Sequence, residues 1–571
     1  MNAIPYPNGN IFQLENITGQ SPFSHDTIEC EGKFVRETLT SEIPSWDYKI
    51  IFINAPTGSG KSSFILEDLA NYATNMKDGP KRILILSNRL ALNIQQKNIL
   101  ANQHNNFTIG SKMLKNLTRF DNVSLCTYQG ILSQLPYLNP NQISHIVFDE
   151  AHFFYSDTIF NSHTGEILTA LLLKFPLCCH IYMSATLKEV IPIISYAEQY
   201  VINYLATPEN LIFSSPSGNF QRCKKHATEY HFKPDFSHIS LFFFHSWEAI
   251  ENKISLQSNT QKWLVFVNKK ETGKEIVKSL KTEKISADFI DADSSDEKIR
   301  SLARRQFFPE TVLVGTKVID NGVSIKDDAL TNIVVDFVDY VELIQMIGRK
   351  RLAPGEKIAL YVKIPTKDEI RTNRQAAESL YGTLYSFQQN PNFFFQSRWG
   401  NLTSNEQNLF SANSMTFPNA PPLHQIIPNQ LAEYQLATMC GKYEELEDQL
   451  LKEPHAYEYQ VCQWLDKTYS DAMNIEGPSI KNAILKIVQE YVEHSPESAE
   501  SPKILTEMKA HIPPAMCKSM GLHPGGGRAL SNINVILKTL DIDFEAKKKN
   551  NHIIFVQPSV SDAGETASAD D

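Results

Sequence analysis

The chain reads as an α/β protein built on parallel sheets, and three stretches carry that reading. A short apolar strand, Lys49 to Asn54, runs into the loop Ala55-Pro-Thr-Gly-Ser-Gly-Lys61-Ser62 and then into an amphipathic helix with apolar residues at 64, 65 and 69. A second apolar strand, Ile146-Val147-Phe148, ends on the acidic pair Asp149-Glu150. Further on, residues 225–366 alternate strand segments ("KWLVFV", "ADFIDA", "TVLVGT", "NIVVDF", "IALYVKI") with helical ones such as "SSDEKIRSLARRQF". Strand–helix alternation implies parallel strands joined by right-handed crossovers.

Length and composition set the frame. A chain of 571 residues exceeds one ordinary core, so two to four domains are expected. Apolar content of 42% and charged content of 21% are those of a globular protein. No apolar run is long enough to span a bilayer, so no membrane partner is expected. "MNAIPYPNGNIF" has no basic region leading into an apolar one, so no secretory signal is visible. The eight cysteines form no CxxC pair and read as reduced thiols of a cytoplasmic protein rather than a zinc site. A net charge of −10 excludes a general polyanion coat, so any nucleic-acid contact must come from local basic patches.

The glycine-rich loop carries the first chemistry. Gly58 and Gly60 let the backbone curl so that its N–H groups point inward beside a helix N-terminus, and that geometry holds phosphate oxygens. Thr57, Gly58, Ser59 and Gly60 would form the cradle. Lys61 would reach the β/γ-phosphates, and the Ser62 hydroxyl would hold Mg²⁺. The acidic pair sits at the C-terminal end of its strand, where ligands bind in open α/β sheets. Asp149 is placed as the outer carboxylate of the Mg²⁺. Glu150 is the group to orient or deprotonate a water.

With these pieces in place the sequence resembles the superfamily 2 helicases of the DEAD/DEAH-box type. "APTGSGKS" resembles motif I, and "DEAH" and "MSATL" match motifs II and III. In motif III, Ser184 and Thr186 are implied to couple hydrolysis to domain movement. "ILILSNRLAL" resembles motif Ia, which implies Asn88 and Arg89 near a nucleic-acid backbone, and "SLCTYQG" adds Thr127 to that set. "WLVFVNKKETGKEI" resembles motif IV. "VLVGTKVIDNGVSI" resembles motif V, with Thr316 implied as a backbone contact and Asp320 and Gly322 as approaching ATP. "QMIGRKR" resembles motif VI, usually QxxGRxxR. The matches run in order from about Lys49 to Leu352, and they imply two RecA-like domains with ATP and Mg²⁺ bound between them.

Motif VI gives a meaning to the cations Arg349, Lys350 and Arg351, which on this reading face ATP. Arg349 is implied to cross the interdomain cleft as an arginine finger, because a planar, permanently charged guanidinium suits the charge that develops on the γ-phosphate. Gln345 would position the water or a phosphate oxygen. The usual second arginine falls at Leu352, and Arg351 lies one residue early, about 100° round a helix. Arg349 is therefore taken as essential, and Arg351 serves only if the local backbone shifts.

The expected organisation is an N-terminal extension (1–46) that contributes to adenine recognition, a first RecA-like ATP-binding domain (47–205), a linker, and a second RecA-like domain (225–366). A helical accessory region (367–470), a winged-helix-like α+β domain (471–558) and an acidic, disordered tail (559–571) follow. From Lys503 to Val556 there are eight Lys/Arg against four Asp/Glu, a local +4. A helix carrying Arg528, Ser531, Asn532 and Lys538, followed by a hairpin tipped by Lys547 to Lys549, would read DNA with the helix in the major groove and the wing on phosphates. Arg528, Lys547 and Lys548 are the contacts expected there; a plain packing module with a solvated lysine turn fits equally. The function expected is an ATP-dependent helicase or translocase, with DNA favoured over RNA. The alternative is a nucleic-acid-stimulated ATPase switch or clamp that acts with partner proteins and separates no strands.

Overall fold

Runs of Ile, Leu, Val and Phe present no polar face to water, so they form strands buried on both sides, and parallel sheets covered by helices follow. The computed structural model describes residues 24–557 apart from 89–106, 110–117, 121, 206–225, 259, 292, 295, 318–323, 354, 416–422, 495, 513 and 523–527. Nine strands make the first sheet: β1 Ser24–Cys30, β2 Ile50–Asn54, β3 Arg82–Ser87, β4 Phe107–Ile109, β5 Thr118–Phe120, β6 Val123–Thr127, β7 Ile143–Asp149, β8 Cys179–Ser184 and β9 His226–Phe232. Their order is β1-β9-β2-β8-β7-β3-β6-β5-β4. The seven from β1 to β6 are mutually parallel, and β5 and β4 add an antiparallel edge.

The second sheet is parallel throughout. It holds β10 Ile239–Phe244, β11 Lys262–Phe266, β12 Ala287–Ile290, β13 Val312–Gly315, β14 Leu330–Val335, β15 Ile358–Lys363 and, past the motor, β18 Met473–Asn474. The order is β12-β13-β11-β14-β15-β10-β18. These are the two tandem parallel α/β domains that the sequence implies.

Two placements correct the sequence boundaries. β1, in the stretch read as a separate extension, pairs along its whole length with β9, and β9 lies between β1 and β2 in the first sheet although it was assigned to the second domain. Val35, Leu39, Ile43 and Trp46 are fully or almost fully buried against the same sheet. Trp46 donates its indole N–H to the Tyr230 hydroxyl at 3.1 Å, tying the N-terminal segment to β9. Truncating so large a buried ring costs about 3–5 kcal/mol, so the segment 24–46 is part of the lobe and lends Val35, Leu39, Ile43 and Trp46 to its core.

Past Lys363 the chain turns mostly helical. Thr366 and Glu369 form a capping box at the head of the Lys367–Gln389 helix, which lies against the Gln430–Lys452 helix. Between them a hairpin, β16 Phe410–Met415 with β17 Leu423–Pro428, was not expected. The final segment has its own core, with Ile484, Ile533, Ile553 and Phe555 buried among the helices Gly477–His494, Ser501–Ala510 and Ala529–Thr539 and the hairpin β19 Glu545–Lys549, β20 His552–Val556. Among the described residues no helix is long and apolar enough to cross a membrane.

Candidate nucleotide site between the lobes

The C-terminal ends of β2, β7 and β8 bring the candidate residues together. β2 ends in the loop Ala55–Gly60, in which Gly58 (φ 85°) and Gly60 (φ 80°) adopt left-handed backbone open to glycine. The N-terminal segment braces this loop, since the Val35 N–H donates to the Ser59 carbonyl at 2.9 Å. Lys61 is buried and donates to the carbonyls of Ala55 (2.7 Å) and Pro56 (3.0 Å). Burial pushes its pKa down, while the Glu150 and Asp149 carboxylates oppose that shift.

Asp149 closes β7, is buried, and accepts the Glu150 N–H at 3.1 Å. Glu150 itself sits at φ 53°, a left-handed conformation uncommon for a non-glycine residue. Burial works to raise its pKa, but His152, Lys61 and Arg349 overcome this and hold the carboxyl below the ordinary range. Its Oε2 lies 3.3 Å from His152 Nδ1, within ion-pair reach, yet makes no aligned hydrogen bond although buried. Ser59 Oγ is likewise buried without a hydrogen bond. Ser62 shares the wall with them.

His152 Nδ1 is also 3.0 Å from Ser184 Oγ, and Ser184 Oγ accepts the Thr186 N–H at 3.1 Å. Motifs II and III are thus one hydrogen-bonded cluster. Gln345 reaches it from the second lobe, its Nε2 lying 3.4 Å from both His152 Nδ1 and Thr186 Oγ1. The same side chain accepts at Oε1 from Arg349 Nη2 (2.7 Å), and its carbonyl accepts from Arg349 Nε (2.9 Å). Gln345 therefore joins Arg349 to the catalytic cluster of the opposite lobe. Val341, on the same Tyr340–Ile347 helix, is buried within the first lobe's hydrophobic cluster.

The cations do not all face the cleft, which corrects the sequence reading. The Tyr340–Ile347 helix stops at Gly348, and the backbone beyond it is extended. The Ile325 N–H donates to the Arg349 carbonyl, and the Arg351 N–H donates to the Ile325 carbonyl. In extended chain successive side chains alternate, so 349 and 351 share a side and 350 takes the other. Lys350 Nζ accordingly turns into its own lobe, bonded to the Asp327 carbonyl and Glu356. Arg351 lines the cleft, donating to Ser324 Oγ at 3.1 Å, with Nη1 within 3.7 Å of where a Cβ on Gly58 would lie. Arg349, expected at the front, lies behind it and is 5% exposed.

Other expected contacts lie at strand ends. Asn88 follows β3 and is buried, its Oδ1 accepting from Gln129 at 3.4 Å; Thr127 closes β6 and caps the next helix by accepting the Gly130 N–H. Thr316 follows β13. Arg89, Asp320 and Gly322 lie outside the described residues. In the C-terminal segment Arg528, Ser531, Lys547 and Lys548 are exposed. Asn532 is buried, and Lys538 turns back to the Lys452 carbonyl and Glu453, so neither belongs to an outward-reading face.

The cleft measures about 1860 Å³ and is lined from both lobes and from the accessory helices. Lys61 and Arg351 line it beside Asp149 and Glu150, and the buried Arg349 adds its charge from behind them. Such a site can bind a polyphosphate anion, and the hard oxygen donors Ser62 and Asp149 suit Mg²⁺. The open glycine cradle fits the same ligand.

A family model described as the Res subunit of type III restriction enzymes matches residues 33–189, and one for the helicase conserved C-terminal domain matches residues 246–351. Among solved structures, Saccharomyces cerevisiae Dbp5 bound to RNA and ADP BeF3 is 14% identical (57% of this chain, 81% of that one, TM-score 0.40). The Mycobacterium smegmatis helicase Lhr bound to ssDNA and AMP-PNP is 15% identical (59% and 46%, TM-score 0.40). A DEAD box protein from Methanococcus jannaschii is 19% identical (60% and 88%, TM-score 0.33). No curated protein matches the chain in sequence. With the two family models falling in order on the two lobes that form the cleft, the chain belongs to the superfamily 2 helicases, nucleic-acid-dependent ATPases with two RecA-like domains.

Proposed function

We propose that this chain is an ATP-driven helicase or translocase that prefers DNA. The observation that carries the reading is the Gln345 bridge, which links the water-activating cluster of one lobe to Arg349 of the other. Hydrolysis is then complete only when the lobes are together, and that is what turns ATP turnover into movement.

The loop Thr57–Gly60 would hold the β- and γ-phosphates, with the adenine toward Gly32 and Lys33, which line the same cleft. Ser62 and Asp149 would hold Mg²⁺, which when bound neutralises phosphate charge. Glu150, kept ionised at neutral pH, orients the attacking water and accepts its proton. Arg351 faces the charge that builds on the transferred phosphoryl group, and Arg349 holds Gln345 in place.

Asn88, Arg89, Thr127 and Thr316 would meet the nucleic-acid backbone, and backbone contacts carry little sequence information. The cleft is larger than the 300–1,000 Å³ of a small-molecule pocket. Beyond the phosphate loop it reaches Phe160, which is 59% exposed, with Lys317 Nζ 5.9 Å from its ring. An aromatic face beside a cation suits a stacked base and its phosphate. DNA is favoured because the final segment, a helix-rich module with a lysine hairpin, resembles a winged helix and exposes Arg528, Lys547 and Lys548. ATP turnover measured with single- and double-stranded DNA and RNA tests the reading; turnover indifferent to all four would reject it. Stimulated turnover without displacement of a tailed duplex would instead select the switch or clamp.

A further inference from the structure

One helix outside the motor is anchored in both lobes. In Gln430–Lys452, Leu431 and Tyr434 are buried in the first lobe's hydrophobic cluster, while Leu446 and Leu450 are buried in the second lobe's. At 1.5 Å per residue these anchors stand roughly 20 Å apart, enough to straddle the cleft. Between them, Lys442 donates to Glu189 Oε1 (3.1 Å) and Asp339 Oδ2 (3.0 Å), and its ammonium lies 5.6 Å from the Tyr155 ring. Tyr155 follows the DEAH motif and Glu189 follows Thr186. Asp339 caps the helix that carries Gln345, accepting from the Val341 N–H at 2.8 Å. One cation from the accessory helix therefore touches the segments that carry all three parts of the catalytic cluster.

The residue before it, Gly441, is unexpected. Glycine inside a helix weakens it relative to alanine. A Cβ at Gly441 would meet nothing within 4 Å, so no close approach requires the glycine. It lies between the two anchored ends, where a helix fixed to two moving bodies must bend.

We infer that the Gln430–Lys452 helix is a jointed strut between the lobes, in which Lys442 is a positioning residue that aligns the closed cleft and Gly441 is the joint that lets it open. The inference rests on the reading of the cleft as an ATPase that opens and closes. The strut sets how their catalytic halves meet and how readily they part.

Full-length Lys442→Ala should lose turnover by roughly tenfold or more with the KM for ATP nearly unchanged, because misalignment costs rate more than ground-state binding. Lys442→Arg should restore most of it. Gly441→Ala should raise the melting temperature by a few degrees and still lower turnover several-fold, because it stiffens the joint. Turnover unchanged in Lys442→Ala would overturn the positioning role, and unchanged turnover in Gly441→Ala would overturn the joint. Amide exchange along the helix, with and without AMP-PNP, decides the matter even if no nucleic acid stimulates hydrolysis. Exchange at 439–443 that slows on nucleotide binding is expected, and uniform slow exchange in both states would overturn the strut by itself.

Discussion

Gly348 and Thr57 touch across the cleft: a Cβ on Gly348 would stand 2.6 Å from Thr57 Oγ1 and 2.7 Å from its Cγ2. The glycine has an ordinary helical φ of −66°, so the requirement comes from the phosphate loop pressed against it and not from backbone strain. Gly348→Ala should hold the lobes apart. ATP affinity should stay within a few-fold, because the cradle is intact, while turnover should fall by about a hundredfold. Thr57→Ala added to it removes two of the three close atoms and should recover part of the rate. Steady-state kinetics of the single and double variants check this.

Glu150→Gln keeps the size of the side chain and removes its basicity. ATP binding should be unchanged or tighter, since one negative charge leaves the phosphate site. Turnover should drop by about 10²- to 10⁴-fold, the usual contribution of a general base. Equilibrium binding and single-turnover hydrolysis separate the two effects, and full hydrolysis would remove Glu150 from its role.

His245 joins the second lobe to the final segment, its ring lying 3.1 Å from Ser519 Oγ and 3.3 Å from Asn474 Nδ2. Burial, aided by the nearby His455 and Lys363 charges, pushes its pKa down to about 3. A depressed histidine pKa means that the unfolded chain binds the proton more readily. Its contribution is therefore present above about pH 6.5 and is lost as pH falls toward 3, on the order of 5 kcal/mol in full. Thermal unfolding should show the final segment loosening between pH 6 and 4. His245→Gln should flatten that dependence.

Lys547 and Lys548 are exposed on the β19 strand and contribute to no core. Replacing both with Ala should weaken duplex DNA binding evenly across sequences and reduce the slope of log affinity against log salt by about 2, close to one released counterion per lysine. Turnover without nucleic acid should not change. An unchanged slope would make the hairpin a solvated turn.

Much of the motor could be read from the sequence because its strands are unbroken apolar runs ending in charged or glycine-rich motifs. Ile50–Ile53 before the phosphate loop and Ile146–Phe148 before Asp149-Glu150 are of this kind. β1 "SHDTIEC" and β9 "HATEYHF" are mixed in polarity and carry no motif, so only their pairing in the sheet, β1 on β9 and β9 on β2, makes them strands. Helical spacing does not place the arginines, because the chain that carries them is extended. The break at Gly348, beyond which 349–351 pair with Ile325, is a tertiary effect that switches the side-chain period from 3.6 to 2. Lys442 gave no local signal at all, since a lysine on an amphipathic helix looks like any solvated one until its three partners converge.

Steady-state ATP turnover with single-stranded DNA, measured beside ATP affinity, for Lys61→Ala, Arg349→Ala and Arg351→Ala tests whether the second lobe acts on a nucleotide held by the first. Lys61→Ala should lose binding. Arg351→Ala should bind ATP as the parent chain does and turn it over about 10³-fold more slowly, as expected for a lost arginine finger. Arg349→Ala should also slow turnover, through the freed Gln345. An Arg351→Ala chain that hydrolyses ATP at the parent rate would mean that no guanidinium crosses the cleft at this position, and the two-lobed catalytic site would be wrong.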